Sequence, residues 1–168
     1  ISAFLVEAGT SGLSLGKIDK KMGQHGSYTC DVIFDNCRVH KDLLIGGVEG
    51  IGFKTAMRVL DKGRLHIAGY SVGMAERMLE DALNYAVERK QFGQAIANFQ
   101  LIQGMLADSK AEIYAAKCMV LDAARLRDEG KNVTTEASCA KMFATEMCGR
   151  VADRCLQIHG GAGYISEY

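Results

Sequence analysis

The feature that most restricts this chain is a change of hydrophobic period at about Gly52. Before it, apolar and polar residues alternate over short runs. After it, apolar residues recur at spacings of three and four almost to the end of the chain. The first pattern suits half-buried strands and the second amphipathic helices, so the chain is expected to be β first and α second. No proline interrupts either pattern. "SAFLVEA" is rich in strand formers, "GTSGLSLG" supplies turn residues, and "SYTCDVIFDNCRV" alternates through Val32, Phe34 and Cys37. This predicts a strand–loop–strand region, antiparallel, followed by the glycine-rich junction "KDLLIGGVEGIG".

The helical part divides into three. From Gly52 to about Lys90 the stripe Leu65, Gly69, Val72, Ala75, Met78, Leu79, Ala82 and Ala86 predicts one long helix, or two joined near Gly63. Glycine weakens an isolated helix by about 1 kcal/mol relative to alanine. Gly63, Gly69 and Gly73 are therefore better explained by close approach of another helix or a ligand. "QFGQAIANF" breaks the pattern. A second helix is expected over about Phe99–Glu129, with Ile102, Met105, Leu106, Ser109, Ile113, Ala116, Val120 and Ala123 on its apolar face. After "GKNV" a third covers about Thr134–Ile158, with Thr134 as N-cap, Glu136 in the first turn, and Ala137, Ala140, Ala144 and Ala152 along one side. Long helices with short connections pack as an antiparallel bundle.

Charge narrows the function. Lys plus Arg and Asp plus Glu are 20 each, so nothing electrostatic calls for nucleic acid or an anionic membrane surface. No run approaches the ~18 apolar residues of a membrane span. Six cysteines, Cys30, Cys37, Cys118, Cys139, Cys148 and Cys155, show no Cys-x-x-Cys pair and no histidine at metal-ligand spacing. They read as reduced, mostly buried thiols of a cytosol-like compartment, with no metal site. The chain opens "ISAFLVEAG" without methionine and stops soon after "QIHGGAGY", which is expected of a segment of a longer protein.

Three places carry candidate chemistry. Gly160, Gly161 and Gly163 crowd the end of the third helix, where a helix stop alone needs one glycine. The turn follows a helix rather than opening one after a strand, so it is not a Rossmann fingerprint. Arg89 stands at a helix end before Gln91, Phe92 and Gly93; its planar fork suits a pyrophosphate, and it equally suits a helix C-terminal dipole. Arg64 lies beside Asp61, either as a local ion pair or as part of a site. On spacing alone the structural reading is the simpler one at all three. His66 and His159 have no carboxylate, serine or cysteine partner at a telling spacing and read as lone histidines.

The order of these features changes that balance. "LSLGKIDKKMGQHGSYTCDVIFDNCRV", "GFKTAMRVLDKGRLHIAG", "ERKQFGQAIANFQLIQGMLAD" and "QIHGGAGY" together closely resemble the acyl-CoA dehydrogenase family, over essentially the whole chain. The resemblance implies an α+β chain. Residues 1–45 would be the end of an antiparallel middle β-domain, and 46–168 an incomplete C-terminal helical bundle, in a protein usually assembled as a homotetramer. It implies FAD as cofactor, with Arg89 at the pyrophosphate and Gln91 and Phe92 beside it. Phe99 and Gln100 would lie near the adenosine end. Gln157, Gly160 and Gly161 would approach the ADP part of an FAD bound mainly by a neighbouring subunit. Phe53, Asp61, Gly63 and Arg64 would line the acyl-CoA site, with Met57 near Phe53 on the same helix face.

The chemistry implied is α,β-dehydrogenation of an acyl-CoA thioester in fatty acid metabolism, with electrons passed to an electron-transfer flavoprotein. A bacterial cytoplasm or a mitochondrial matrix would be its setting. Most members carry the base, a glutamate, about two dozen residues after the Gly-Gly turn, which falls beyond Tyr168. The isovaleryl and long-chain branches place it where Gly63 stands, and glycine has no side chain to serve. The resemblance is therefore to short- and medium-chain members, and the 168 residues alone are expected to be inactive. Proline is common in the family at the positions of His40 and Ala95; these departures bear on turns and not on the proposed contacts. A same-fold flavoenzyme with oxidase or other thioester chemistry, and a catalytically silent scaffold homologue, are the alternatives.

Overall fold

The structure is a computed structural model and describes residues 1–166. The chain divides into two compact units, Ile1–Arg58 and Val59–Tyr168.

In the first unit the antiparallel pairing is as expected, but its first strand lies elsewhere. β1 is Leu13–Leu15, inside the segment expected to turn, and β2 is Val32–Phe34; Leu13 stands opposite Phe34 and Leu15 opposite Val32. The run 2–8 makes only a bridge from Phe4 to Leu44, carried by Leu5 N–H to the Leu43 carbonyl and Ile45 N–H to the Ala3 carbonyl, both 2.9 Å. Its partner is the short junction segment, whose 3₁₀ turn over Lys41–Leu43 leaves too little extended chain for a ladder. Val32, Ile33 and Phe34 are all exposed, since a two-stranded ribbon has no second layer to bury either face.

The helices follow the periodicity closely. α1 is Gly52–Glu88, a single helix that runs through Gly63 unbroken; α2 is Gln100–Asp128 and α3 is Thr134–His159. Cross-helix contacts set their directions. Glu76 of α1 pairs with Lys117 of α2 at 2.8 Å, and Glu112 of α2 pairs with Arg150 and Arg154 of α3. Asp61 meets Thr134 at one end and Tyr85 meets His159 at the other. So α1 and α3 run parallel, and α2 runs against both.

Alanine makes this close packing possible. Ala68, Ala75, Ala82, Ala86, Ala116, Ala123, Ala137, Ala140 and Ala144 are each at most 1% exposed, which leaves no room for a larger side chain between the helices. Ile113, Met147 and Val151 fill what remains. Ser109, fully buried, returns its hydroxyl to the Met105 carbonyl at 2.7 Å.

Two expectations fail here. Thr134 is not the N-cap: Val133 holds that position without a side-chain bond, and the Thr134 hydroxyl instead donates to Asp61 Oδ2 at 2.9 Å. A carboxylate is a stronger partner than the neutral capping bond it replaces. The cysteines are all free but not mostly buried. Cys155 is buried, Cys30, Cys37 and Cys148 are intermediate, and Cys118 and Cys139 are exposed. On the helices each thiol takes the exposure of its face: Cys155 falls on the core stripe with Val151 and Ile158, and Cys118 lies two residues from buried Ala116, across the helix. Burial pushes the Cys148 and Cys155 thiols above the usual thiol range.

Candidate functional site

The end of α1 is built to turn sharply. Arg89 N–H donates to the Tyr85 carbonyl at 2.8 Å, and the chain then folds into a hairpin of β3 (Lys90–Gln91) and β4 (Gln94–Ala95). The Ile96 N–H closes it on the Arg89 carbonyl at 2.9 Å. Only Phe92 and Gly93 lie between the strands, at φ 52° and 81°, the positive pair that a primed two-residue turn requires. Asparagine usually takes the first of these places. A residue with an ordinary Cβ there is strained by about 1–2 kcal/mol, and nothing internal repays Phe92 by burial, for it is 91% exposed. Its ring stands edge-on to Phe99, centroids 6.2 Å apart at 86°.

The end of α3 arrives beside this hairpin. Gly160, at φ 58°, stops the helix with its N–H on the Gln157 carbonyl, and a 3₁₀ turn follows over Gly160–Tyr164. The glycines have separate causes. Gly160 supplies the left-handed backbone. At Gly163 a Cβ would lie 2.8 Å from the Leu156 carbonyl oxygen, so packing excludes a side chain. At Gly161 a Cβ would meet nothing within 4 Å among the described residues, so their packing gives no reason for glycine there.

Together the two ends enclose an open cleft of about 990 Å³, the upper end of the ~300–1,000 Å³ typical of ligand sites. Arg89, Gln91, Phe92, Phe99, Gln100, Gly160 and Gly161 all line it; Gln157 does not. Ile96, Leu101, Ile158 and Ile165 make it apolar, Asn98 adds an amide, and no carboxylate stands among the lining residues. Among the described residues the Arg89 guanidinium has no ion pair or hydrogen-bond partner. The cleft can thus offer an uncompensated cation, one exposed ring and one half-buried ring, several amides and an unobstructed backbone turn to a ligand that is anionic in one part and flat in another.

Tyr85 and His159 also line the cleft and were missed. Their rings stack at 4.5 Å and 25°, and the Tyr85 hydroxyl donates to the His159 carbonyl at 3.4 Å. His159 Nδ1 is 2.8 Å from the Cys155 carbonyl, which makes that nitrogen the donor. His159 is thus held by a stacked ring and a backbone carbonyl, contacts of a structural kind. It lies 74 residues from Tyr85, beyond the reach of any spacing argument. The hairpin was missed as well, because Phe-Gly lacks the Asn-Gly signature of its turn. His66 remains exposed.

The other assigned residues form a separate cluster. Arg64 Nη1 is 2.5 Å from Asp61 Oδ1, and Asp61 Oδ2 accepts from Thr134. Gly63 sits between them with open space in its Cβ direction. Phe53 belongs to the first unit, where its ring is exposed. Among the described residues no group of three His, Cys, Asp or Glu side chains gathers as metal ligands would, and no helix is long and apolar enough to cross a membrane.

A helical bundle with an open cleft between a strained hairpin and a glycine turn at one end is a recognisable architecture, and comparison with known proteins defines it further. The family model "Acyl-CoA dehydrogenase, C-terminal domain" matches residues 50–168. The chain belongs to the acyl-CoA dehydrogenase family. It is 48% identical, over all 168 residues, to the caffeyl-CoA reductase-Etf complex subunit CarC of Acetobacterium woodii, of which it covers 44%. It is 42% identical over 167 residues to the human mitochondrial short-chain specific acyl-CoA dehydrogenase, covering 99% of this chain and 40% of that one. Among solved structures, butyryl-CoA dehydrogenase from Megasphaera elsdenii superimposes with a TM-score of 0.96 at 42% identity, over 99% of this chain and 43% of its own. The chain thus spans less than half the length of these relatives.

Proposed function

We propose that this chain serves flavin-dependent α,β-dehydrogenation of an acyl-CoA thioester, as part of a homotetramer that passes electrons to an electron-transfer flavoprotein. The observation that carries the reading is the meeting of Arg89, unpaired among the described residues, with the Gly160–Gly161 turn in one apolar cleft. The arginine has only the end of α1 to answer and Gly161 no packing contact among the described residues, and FAD supplies a reason for both. Arg89 would hold its pyrophosphate by paired hydrogen bonds. Phe92 and Phe99 would present ring surface, Gln91 and Gln100 would supply amides, and Gly160 and Gly161 would let the backbone close on the ADP part. Gln157 is assigned to the same cofactor by resemblance, from outside the cleft. Asp61, Gly63 and Arg64 are assigned to the acyl-CoA, and so on resemblance alone is Phe53. The division into the end of a β-domain (1–45) and a helical domain (46–168) belongs to the same proposal.

FAD held by these residues would supply the hydride acceptor for the β carbon, and removal of the α proton would call for a carboxylate. No residue of this chain is assigned as that base: Gly63 has no side chain, and among the described residues no carboxylate lines the cleft. The 168 residues by themselves are accordingly expected to be inactive, and turnover of an acyl-CoA by them would overturn this. A bacterial cytoplasm or a mitochondrial matrix fits the relatives named above.

The test is a visible absorbance spectrum of the protein expressed from its full natural gene, before and after anaerobic butyryl-CoA. Flavin bands that bleach support the reading. Bands that persist point to another reaction, and a colourless protein points to a scaffold. The reductase name of the Acetobacterium relative favours a second reading, in which the same site works in the reductive direction. Reoxidation of the chemically reduced flavin by an enoyl-CoA, faster than reduction by the saturated thioester, would select it.

A further inference from the structure

Asp61, Arg64 and Thr134 make a chain of contacts that the bundle's core does not need. Thr134 is exposed and the pair it touches is partly so, with side-chain exposures of 28% for Asp61 and 37% for Arg64. Ion pairs this open to solvent contribute little to stability. A carboxylate and a guanidinium left to themselves favour a two-bonded fork. Here Arg64 reaches Asp61 through Nη1 alone, on Oδ1, and the other oxygen is taken by the Thr134 hydroxyl.

That hydroxyl has one proton and two acceptors at 2.9 Å, Asp61 Oδ2 and Asn132 Oδ1. The ionised carboxylate is the stronger acceptor and takes it. Asn132 Oδ1 in turn receives the Thr134 backbone N–H at 3.3 Å, which keeps the amide oxygen at the start of α3 in place of a conventional cap. We propose that Thr134 is a positioning residue for Arg64: by holding Asp61 Oδ2 toward the start of α3 it turns the carboxylate away from a two-bonded fork and leaves the remaining guanidinium donors for the acyl-CoA. This rests on the assignment of Arg64 to that ligand made above. Thr134 lies 73 residues from Asp61, so nothing in the spacing announces the link.

Replacing the hydroxyl by a methyl group frees Oδ2, and Arg64 closes onto Asp61 with both nitrogens. The experiment compares the full-length flavoprotein with its Thr134→Val and Thr134→Ser variants, by steady-state kinetics over a series of acyl-CoA chain lengths and by crystal structures without substrate. Valine is expected to raise KM about tenfold with kcat within about twofold, at unchanged flavin content and unfolding temperature, and serine to restore the wild-type KM. A merely structural threonine would lower the unfolding temperature and leave KM alone, which overturns the proposal. The crystal structures decide independently of turnover. A fork in the valine variant supports the proposal, and a single Arg64–Asp61 bond in both proteins overturns it. If the wild-type flavoprotein oxidises no acyl-CoA, the functional reading fails, and the geometry of the two crystal structures alone settles what Thr134 does.

Discussion

The middle of the bundle and its Gly160 end are built on opposite terms. In the middle most residues answer to their neighbours: alanines closed to solvent, a buried serine satisfied by its own helix, and Glu112 held between two arginines, with Arg154 Nη1 the one buried side-chain nitrogen or oxygen left without a partner among the described residues. At the Gly160 end Phe92 is strained and exposed, Gly161 has empty space where a side chain would go, and Arg89 has no partner among the described residues. Unexplained residues gathered in one cleft, beside a core that is almost wholly explained by its own packing, are the physical sign of a site.

The contrast yields variants that should separate folding from binding. The largest expected effect lies in the core: Met147→Ala, at a side chain 0% exposed, should lose about 2–5 kcal/mol, read as a fall in the denaturant midpoint. Arg89→Gln should do the reverse, weakening flavin retention about 10–100-fold, the equivalent of one or two charge-assisted hydrogen bonds, and leaving the melting temperature of the apoprotein unchanged. Flavin titration of the refolded apoprotein measures it, and unaltered affinity would remove Arg89 from the site.

Glu112→Gln tests the clamp between α2 and α3. The hydrogen bond from Arg154, then that from Arg150, holds the Glu112 carboxyl below its usual range. A depressed carboxyl stabilises the fold above the ordinary carboxylate pKa of about 4.3, and that contribution is lost as pH falls through the lower native value. The variant should therefore lose about 1 kcal/mol at neutral pH, since both pairs are partly open to solvent. Its deficit relative to the parent should shrink on acidification below about pH 4, as urea melts across that range would show. The smallest effect is a gain. Phe92→Asn suits the positive φ and should stabilise the apoprotein by about 1 kcal/mol while lowering flavin affinity. Equal flavin affinity in parent and variant would make the Phe92 strain a purely local matter.

Legibility in the sequence follows the range of the interactions. The three helices and their apolar stripes were readable because periodicity is local, and Arg89 and the glycine turn stood out for the same reason. Thr134 was misread as a cap because its real partner, Asp61, lies far away in the chain. His159 shows no carboxylate, serine or cysteine at a telling spacing, and the ring stacked on it, Tyr85, lies too far off in the chain for spacing to reveal. The strand expected at 2–8 had the right composition and no partner long enough to pair with, and the exposed cysteines took the exposure of their helix faces.

The empty space at Gly161 has a consequence for how variation in this protein would be detected. Gly161→Ala should fold as well as the parent, because the added methyl meets no atom of the described residues within 4 Å. Proteases and chaperones act on opened chains, so such a variant would escape them and accumulate normally. A survey that scores variants by cellular abundance would pass it as healthy, while flavin content, expected to fall, would single it out. Gly163→Ala, whose methyl would press on the Leu156 carbonyl, should be caught by the abundance screen alone. Two glycines of one short turn would thus fail different inspections.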